Sequence, residues 1–459
     1  MHSPRLRAIV QRIALLRWRE LSLLPVPLAV VLAGCALASI ARHGAIEPAA
    51  LRLALGFALA VALGHAGLTV LCRTADQTLF PAVALLSGLG LTLVYRLRPD
   101  LAPRQLAWIA IGVAAVLAVA SVLRQPDILR RYKYSAAAAG LLLVALTAVF
   151  GVDPNNSGAR LWLGFGPALF QPSEVLKVLL VVFLAAYLDE NATVLASGTY
   201  RLGRLRLPPL PYLGPAVVMW GLSLALLVFQ RDLGAALLFF GIFVAMLYVA
   251  SGRSLYAVMA LLAFGAGVAI AHALFSHVRL RVDIWLHPWA DPRGRAYQIV
   301  QGLIALASGG IPGAGLGFGS PTIIPAVHTD LVYAALGEEL GFAGVLALVG
   351  IYMLVIVRGM RVALHATSGF ARLAAAGLTS VLAIQTVVIL AGSVWLIPLT
   401  GITLPFVSYG GSSLLTNYLL LGLLLRISSL PRSPLPRRAR RPAPEQARAS
   451  VPYRAAPQL

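Results

Sequence analysis

Cysteine, lysine and charge in general are scarce in this 459-residue chain. Cysteine occurs only as Cys35 and Cys72, which fall at different predicted depths, so neither a disulfide scaffold nor a cysteine metal site is expected. Lysine is confined to Lys133 and Lys177, and the rest of the 37 basic residues are arginine, a skew that GC-rich codons explain. Charged residues make up 12% of the chain, against roughly a quarter in soluble proteins, which excludes an ordinary soluble fold. No serine-hydrolase triad, His/Cys metal cluster or glycine-rich phosphate loop is recognisable, so chemistry driven by ATP is not indicated.

What is present is apolar: 59% of residues are hydrophobic, and several runs reach the roughly 20 residues that cross a bilayer as a helix. Runs near 21–40, 52–72, 78–95, 106–123, 134–151, 172–188, 211–229, 233–250, 255–275, 331–357, 373–396 and 404–425 predict an all-α polytopic membrane protein of about twelve spans. Arg5, Arg7, Arg12, Arg17 and Arg19 precede Leu32-Ala33-Gly34-Cys35, which looks like a lipoprotein cleavage box. Because the apolar run continues through Ile40, this stretch reads as the first membrane helix.

With the N-terminus inside, most basic residues fall in alternate, cytoplasmic loops, so the net charge of +21 is an orientation signal and not a nucleic-acid footprint. One loop dissents, with Arg96, Arg98 and Arg104 outside against Asp100 alone. The expected organisation is a basic cytoplasmic segment over 1–20 and N-terminal spans over 21–133. A core follows over 134–428 with an extracytoplasmic loop at 276–330, then a basic Pro/Arg/Ala-rich tail over 429–459 that reads as disordered.

That loop is too long for a simple connection. It holds Tyr297, Gln298 and Gln301 within a helical stripe of apolar residues at 296, 299, 300, 303, 304 and 307. Glycines follow at 309, 310, 313, 315, 317 and 319, and the loop ends in His328-Thr329-Asp330. Other polar groups cluster on the same predicted face: Arg160 and Trp162; Gln171, Glu174 and Lys177; Arg231 and Asp232; Arg279 and Arg281; Glu338 and Glu339; and Ser408-Tyr409-Gly410-Gly411-Ser412. Charges inside spans are costly and need a partner or a function. Glu174/Lys177 and Arg231/Asp232 can be buried pairs or ligand groups, Gly410-Gly411 can serve close packing or ligand contact, and Trp162 can be an interfacial anchor. Glu338 and Glu339 are read as partners of nearby arginines ahead of catalytic groups.

At these residues the chain resembles the FtsW/RodA/SpoVE (SEDS) family of bacterial cell-wall proteins, from about Gly158 to Ser428. The blocks that carry the resemblance are Gly158–Trp162, Phe170–Lys177, Gln230–Gly234, Tyr297–Gly319, His328–Gly341 and Gly401–Ser413. The resemblance implies a peptidoglycan glycosyltransferase in the bacterial cytoplasmic membrane that polymerises lipid II at the outer face beside a class B penicillin-binding transpeptidase. It implies Asp330 as the essential carboxylate, with Trp162 and Lys177 matching family positions. The family core has ten spans, so the first two here read as an N-terminal addition. Departures are Pro325-Ala326-Val327 where Pro-Glu is common, Ala296 and Ala314 for a common Gly and Lys, and Gln385-Thr386 for an Asn-containing segment.

The implied chemistry suits the residues. A diphosphate leaves without being protonated, so one carboxylate can serve as general base while cations stabilise the departing phosphates. Arg160, Lys177, Arg231, Arg279 or a divalent cation such as Mg or Mn are the candidates for that second role, and no other cofactor is evident. A lipid II flippase and a non-catalytic scaffold for the transpeptidase are the alternatives. A flippase calls for polar groups through both leaflets, whereas these cluster on one face.

Overall fold

The computed structural model describes residues 17–153, 159–165, 168–197, 200–202, 205–207 and 210–431. Arg5, Arg7, Arg12, Gly158 and the tail from 432 onward lie outside the described residues. The α-helices in chain order are α1 Trp18–Leu23, α2 Pro25–His43, α3 Pro48–Leu71, α4 Leu79–Leu97, α5 Ala102–Val122, α6 Lys133–Phe150 and α7 Pro172–Glu190. They continue as α8 Ala192–Ser197, α9 Leu210–Phe229, α10 Leu233–Ser251, α11 Ser254–Leu274, α12 Ser276–Leu286, α13 Tyr297–Ser308, α14 Val332–His365, α15 Gly369–Ser393 and α16 Gly411–Ser428. The polytopic helical fold expected from the apolar runs is therefore present, with two small additions in the connections. These are antiparallel hairpins pairing Leu163–Phe165 with Ala168–Phe170, and Tyr200–Leu202 with Leu205–Leu207.

Among the described residues, 11 helices are long and apolar enough to cross a membrane. The twelfth expected span, α7, has the length at 19 residues but carries Glu174, Lys177, Asp189 and Glu190. Glu174 and Lys177 pair inside the bundle, as described below, while Asp189 and Glu190 at the other end meet Arg130 and Lys133. The centre is formed by α4, α15 and α16, whose apolar windows are 83%, 78% and 72% buried, while α11 is 0% buried and lies at the rim. Apolar burial alone cannot sort helices in lipid, so the centre is marked by small and polar residues that let backbones approach. Gly90 lies under the Val407 backbone, Gly359 under Thr379 and Gly112 under Tyr418.

Gly411 shows the demand most sharply. A Cβ there would stand 2.3 Å from the Trp108 indole. The close-packing role of this Gly-Gly pair is thus visible at Gly411. Gly411→Ala is expected to cost about 1–3 kcal/mol by overpacking. Thermal melts of the purified variant check this, and Trp108→Leu in the same chain should recover part of the loss.

The N-terminal helices are tied into the bundle. Cys35 lies buried in the unbroken α2, and both cysteines are free. Arg17, fully buried, donates to Glu20, to the Cys72 carbonyl at 2.6 Å and to the Asp76 carbonyl at 2.9 Å, while Asp76 in turn accepts from Arg358. The loop helix α13 packs on α14, with Ile299, Val300, Gly302 and Ala305 buried and Ile304 exposed. The buried face is rotated from the expected stripe because Gly302 and Ala305 allow closer approach than Leu303 and Ile304 would. α14 is kinked where Gly341 takes φ +66°.

Candidate active site

The turn carrying His328-Thr329-Asp330 is wound around a single carbonyl. The backbone N–H of Thr329 and of Asp330 donate to the Ala326 oxygen at 3.1 and 3.0 Å, and Thr329 Oγ1 donates to it at 2.9 Å. Ala326 itself has φ +49°, a strained conformation for a residue with a Cβ, costing about 1–3 kcal/mol. Such strain persists only where the surroundings hold it. Here the holder is the 404–410 loop: Ser408 Oγ donates to the Thr329 carbonyl at 2.6 Å, and the Tyr409 N–H donates to the His328 carbonyl at 2.9 Å. The His328 and Tyr409 rings lie 5.9 Å apart. This explains why the apolar run expected from 404 becomes helix only at Gly411.

Asp330 is half-buried in the wall of a cleft of about 280 Å³, which is also lined by Leu280, Arg281, Ile284 and Trp285 of α12, Arg295, Gln298 and Ile299, and Leu399 and Gly401. Burial pushes the Asp330 carboxyl above the usual carboxylate range, against opposing pulls from Thr329, the Arg281 charge and Gln298. Burial and the nearby Arg98 charge hold the His328 imidazole below its ordinary value, against an opposing pull from Asp100.

The expected site residues divide into four groups. Asp330 and Gln298 line the cleft, and His328, Thr329, Ser408 and Tyr409 build its turn; Gln298 also ties down the Pro325 carbonyl at 3.1 Å. A second group forms a polar seam inside the bundle. Asp232 caps α10 by accepting from the Ala235 N–H at 3.0 Å, and accepts from Gln171 Nε2 at 3.3 Å and Ser173 Oγ at 3.4 Å. Ser412 Oγ accepts from the Gln171 N–H at 3.0 Å. Lys177 is 1% exposed and donates to Glu174 Oε2 at 2.6 Å, Gln385 Oε1 at 3.1 Å and Asn417 Oδ1 at 3.2 Å. All three ammonium protons have acceptors, so in this arrangement Lys177 ties α7, α15 and α16 together. Gln385, noted as a departure from the family pattern, is one of its acceptors.

The third group lies away from the cleft lining: exposed Arg160, half-buried Trp162, whose carbonyl accepts from the Val152 N–H at 2.8 Å, exposed Arg231, and Tyr297 and Gln301 on α13. Arg279 belongs here too. It is exposed and donates back to the Ala273 carbonyl at 2.9 Å. The last group is Glu338 together with Gly410, where a Cβ would stand 3.2 Å from Thr403, and Gly411 against Trp108. Glu338 Oε1 accepts from the Ser320 N–H at 2.7 Å, and neighbouring Glu339 pairs with Arg96 at 3.0 Å.

The cations at the cleft are Arg281, noted in the sequence beside Arg279 but not given the phosphate role, and Arg295, which the sequence did not single out. Arg281 donates to the Leu399 and Thr400 carbonyls at 3.0 and 3.2 Å, and its charge acts on both Asp330 and Asp232. Arg295 also lines the cleft, with its side chain exposed and 3.6 Å from the Asp291 carboxylate. Residues 281, 284 and 285 share one face of a helix by i, i+3, i+4 spacing and 279 does not, but only the packing shows that this face meets the cleft. Trp285 and Trp395 latch α12 reciprocally, each indole N–H donating to the other's carbonyl, at 3.2 and 2.5 Å.

Among the described residues no group of three His, Cys, Asp or Glu could hold a metal ion. The cleft offers one carboxylate, Asp330, against two guanidinium groups. A divalent cation held there would have Asp330 as its one protein carboxylate and would take its remaining ligands from water and substrate phosphates.

A sequence model of the FtsW/RodA/SpoVE family, described as cell cycle protein, matches residues 71–432. The match begins well upstream of residue 158, where the motif blocks start, and takes in α4, α5 and α6. The peptidoglycan glycosyltransferase RodA of Mycobacterium tuberculosis (strain ATCC 25618 / H37Rv) is 43% identical over 380 residues, covering 80% of this chain and 81% of the relative. The probable peptidoglycan glycosyltransferase FtsW of Geobacter metallireducens is 35% identical over 298 residues, covering 63% and 75%. Among solved structures, a chain from a peptidoglycan synthase complex that coordinates polymerization and crosslinking is 30% identical with a TM-score of 0.63, covering 77% of this chain and 97% of that one. The rod shape determining protein RodA of Thermus thermophilus is 28% identical with a TM-score of 0.55, covering 77% and 96%.

Proposed function

The chain belongs to the FtsW/RodA/SpoVE family and is a multi-pass membrane peptidoglycan glycosyltransferase, and from that premise we propose that it polymerises lipid II with Asp330 as general base. The observation that carries this reading is the cleft, where one half-buried carboxylate stands with two guanidinium groups and Gln298 among apolar side chains. An acceptor sugar hydroxyl attacks the anomeric carbon of the donor as Asp330 takes its proton, a contribution of about 10²–10⁴-fold. The new glycosidic bond forms as the bond from that carbon to the lipid diphosphate breaks, with inversion. The charge left on the diphosphate oxygen is met by Arg281, with Arg295 also on the cleft lining. No step runs through a metal ion.

The working face is the outer face of the bacterial cytoplasmic membrane, which the distribution of arginines supports. A class B penicillin-binding transpeptidase is the expected partner in cell elongation or division, supported by the likeness to a chain of a synthase complex.

Purified protein with its transpeptidase partner, given labelled lipid II in detergent, should yield glycan polymer that vanishes in Asp330→Ala. Absence of polymer together with lipid translocation in vesicles would transfer the function to transport. The leaving-group assignment has its own test. Arg281→Ala is expected to lower kcat about 10²–10³-fold, the scale for losing one donor to developing charge. Arg279→Ala, two residues away on the other helix face, should leave the rate close to wild type, and equal losses in both would sink the assignment.

A further inference from the structure

Arg96 breaks the positive-inside pattern, yet it is not a solvated surface charge. Its side chain is 14% exposed, and its Nε donates to Glu339 Oε1 at 3.0 Å. Its Nη2 donates to the carbonyls of Gly317 at 3.2 Å and Gly319 at 3.0 Å. The same glycine loop is held from its other side by the first turns of α14. The N–H groups of Ala314 and Gly315 donate to the Glu338 and Glu339 carbonyls, both at 2.9 Å, and Ser320 donates to the Glu338 carboxylate.

Left-handed backbone at Gly313, Gly315 and Gly317, with φ of +84°, +94° and +92°, lets the loop lie this flat. α2 closes the arrangement. A Cβ at Gly317 would stand 2.4 Å from the Ala41 methyl, and Arg42 Nη2 donates to the Arg96 carbonyl at 2.9 Å. Leu97, next to Arg96, packs with Ile324, Val327 and Leu331, which bracket the catalytic turn. The end of α4 thus grips both the glycine loop and the segment that leads from it to Asp330.

We propose that Arg96, backed by Ala41 and Arg42 of α2, is a positioning residue that seats the glycine loop and thereby fixes where Asp330 stands. The inference rests on Asp330 as the base. It also gives α2, which lies outside the family match over 71–432, a task in the reaction.

The test uses the full chain in detergent with labelled lipid II, and two variants that disturb the grip differently. Arg96→Gln removes the guanidinium, and Ala41→Phe leaves it in place but pushes on Gly317. Both should lower kcat about 10²-fold with little change in KM, since displacement of the base by about 1 Å costs that much. Both should also speed amide exchange at Ala314, Gly315 and Ser320 at least about tenfold, while amides beyond Gly341 in α14 keep their protection. Arg96→Lys should fall between, because one ammonium cannot reach Glu339 and both carbonyls.

Wild-type rates in both variants would overturn the proposal, as would lost activity with unchanged exchange in the loop. Should Arg96→Gln fail to fold, Ala41→Phe decides. A wild-type protein that makes no polymer would instead overturn the assigned reaction, and the exchange measurements would still report whether Arg96 seats the loop.

Discussion

Asp330→Asn is expected to lose polymerisation by about 10²–10⁴-fold while making the protein more resistant to heat at neutral pH. The activity loss follows because the amide cannot take the acceptor's proton. The gain in stability follows from linkage. Burial raises the Asp330 carboxyl above its ordinary value, so the folded protein holds a proton where the unfolded chain has already lost it. Stability from this group is therefore full below the unfolded value and falls as pH rises through the higher folded value. At neutral pH the ionised carboxylate is a cost that Asn removes. The same shift places the acidic limb of the rate profile above the ordinary carboxylate range, with the rate rising as pH increases through it. Melting curves and kcat/KM against pH, for wild type and variant, check all three statements. Polymer formed by Asp330→Asn at near the wild-type rate would take the carboxylate out of the reaction.

Lys177→Met should give the opposite signature: a large loss of stability, with reduced activity only as a consequence. Lys177 lies at a junction of α7, α15 and α16 and satisfies three acceptors while buried. Removing one partner of a buried pair leaves the other unpaired, which costs about 3–5 kcal/mol. Melting of the purified variant measures the loss. Glu174→Gln combined with Lys177→Met should recover part of it, because no unpaired charge remains. A variant that melts like wild type but makes no polymer would mean that Lys177 reaches substrate after all.

These two residues also show what was legible in the chain. Runs such as 233–250 and 255–275 became Leu233–Ser251 and Ser254–Leu274, because hydropathy over 20 residues decides membrane helices locally. Asp330 stood out by motif resemblance and by its place at a loop–helix junction. The partners of Lys177 did not, since Gln385 and Asn417 are 208 and 240 positions away. Arg96 and Glu339 are 243 apart. Arg279 and Arg281 were told apart only by the face that α12 turns to the cleft. Side-chain pairing across a bundle is decided by packing that no short stretch encodes.

The bend at Gly341 sets a height. Beyond it, residues 342–365 of α14 extend about 36 Å at 1.5 Å per residue, enough for a hydrocarbon layer of about 30 Å. The segment before it, from Val332, adds about 14 Å more, and Asp330 sits at its tip. With the lower part immersed in lipid, the kinked segment carries the carboxylate beyond the hydrocarbon layer by at most about 14 Å. A sugar tethered to the bilayer through a diphosphate would meet it at a fixed stand-off. Shortening or lengthening that segment by one turn would then alter which hydroxyl of a membrane-tethered saccharide comes level with the base, independently of any change in the cleft itself.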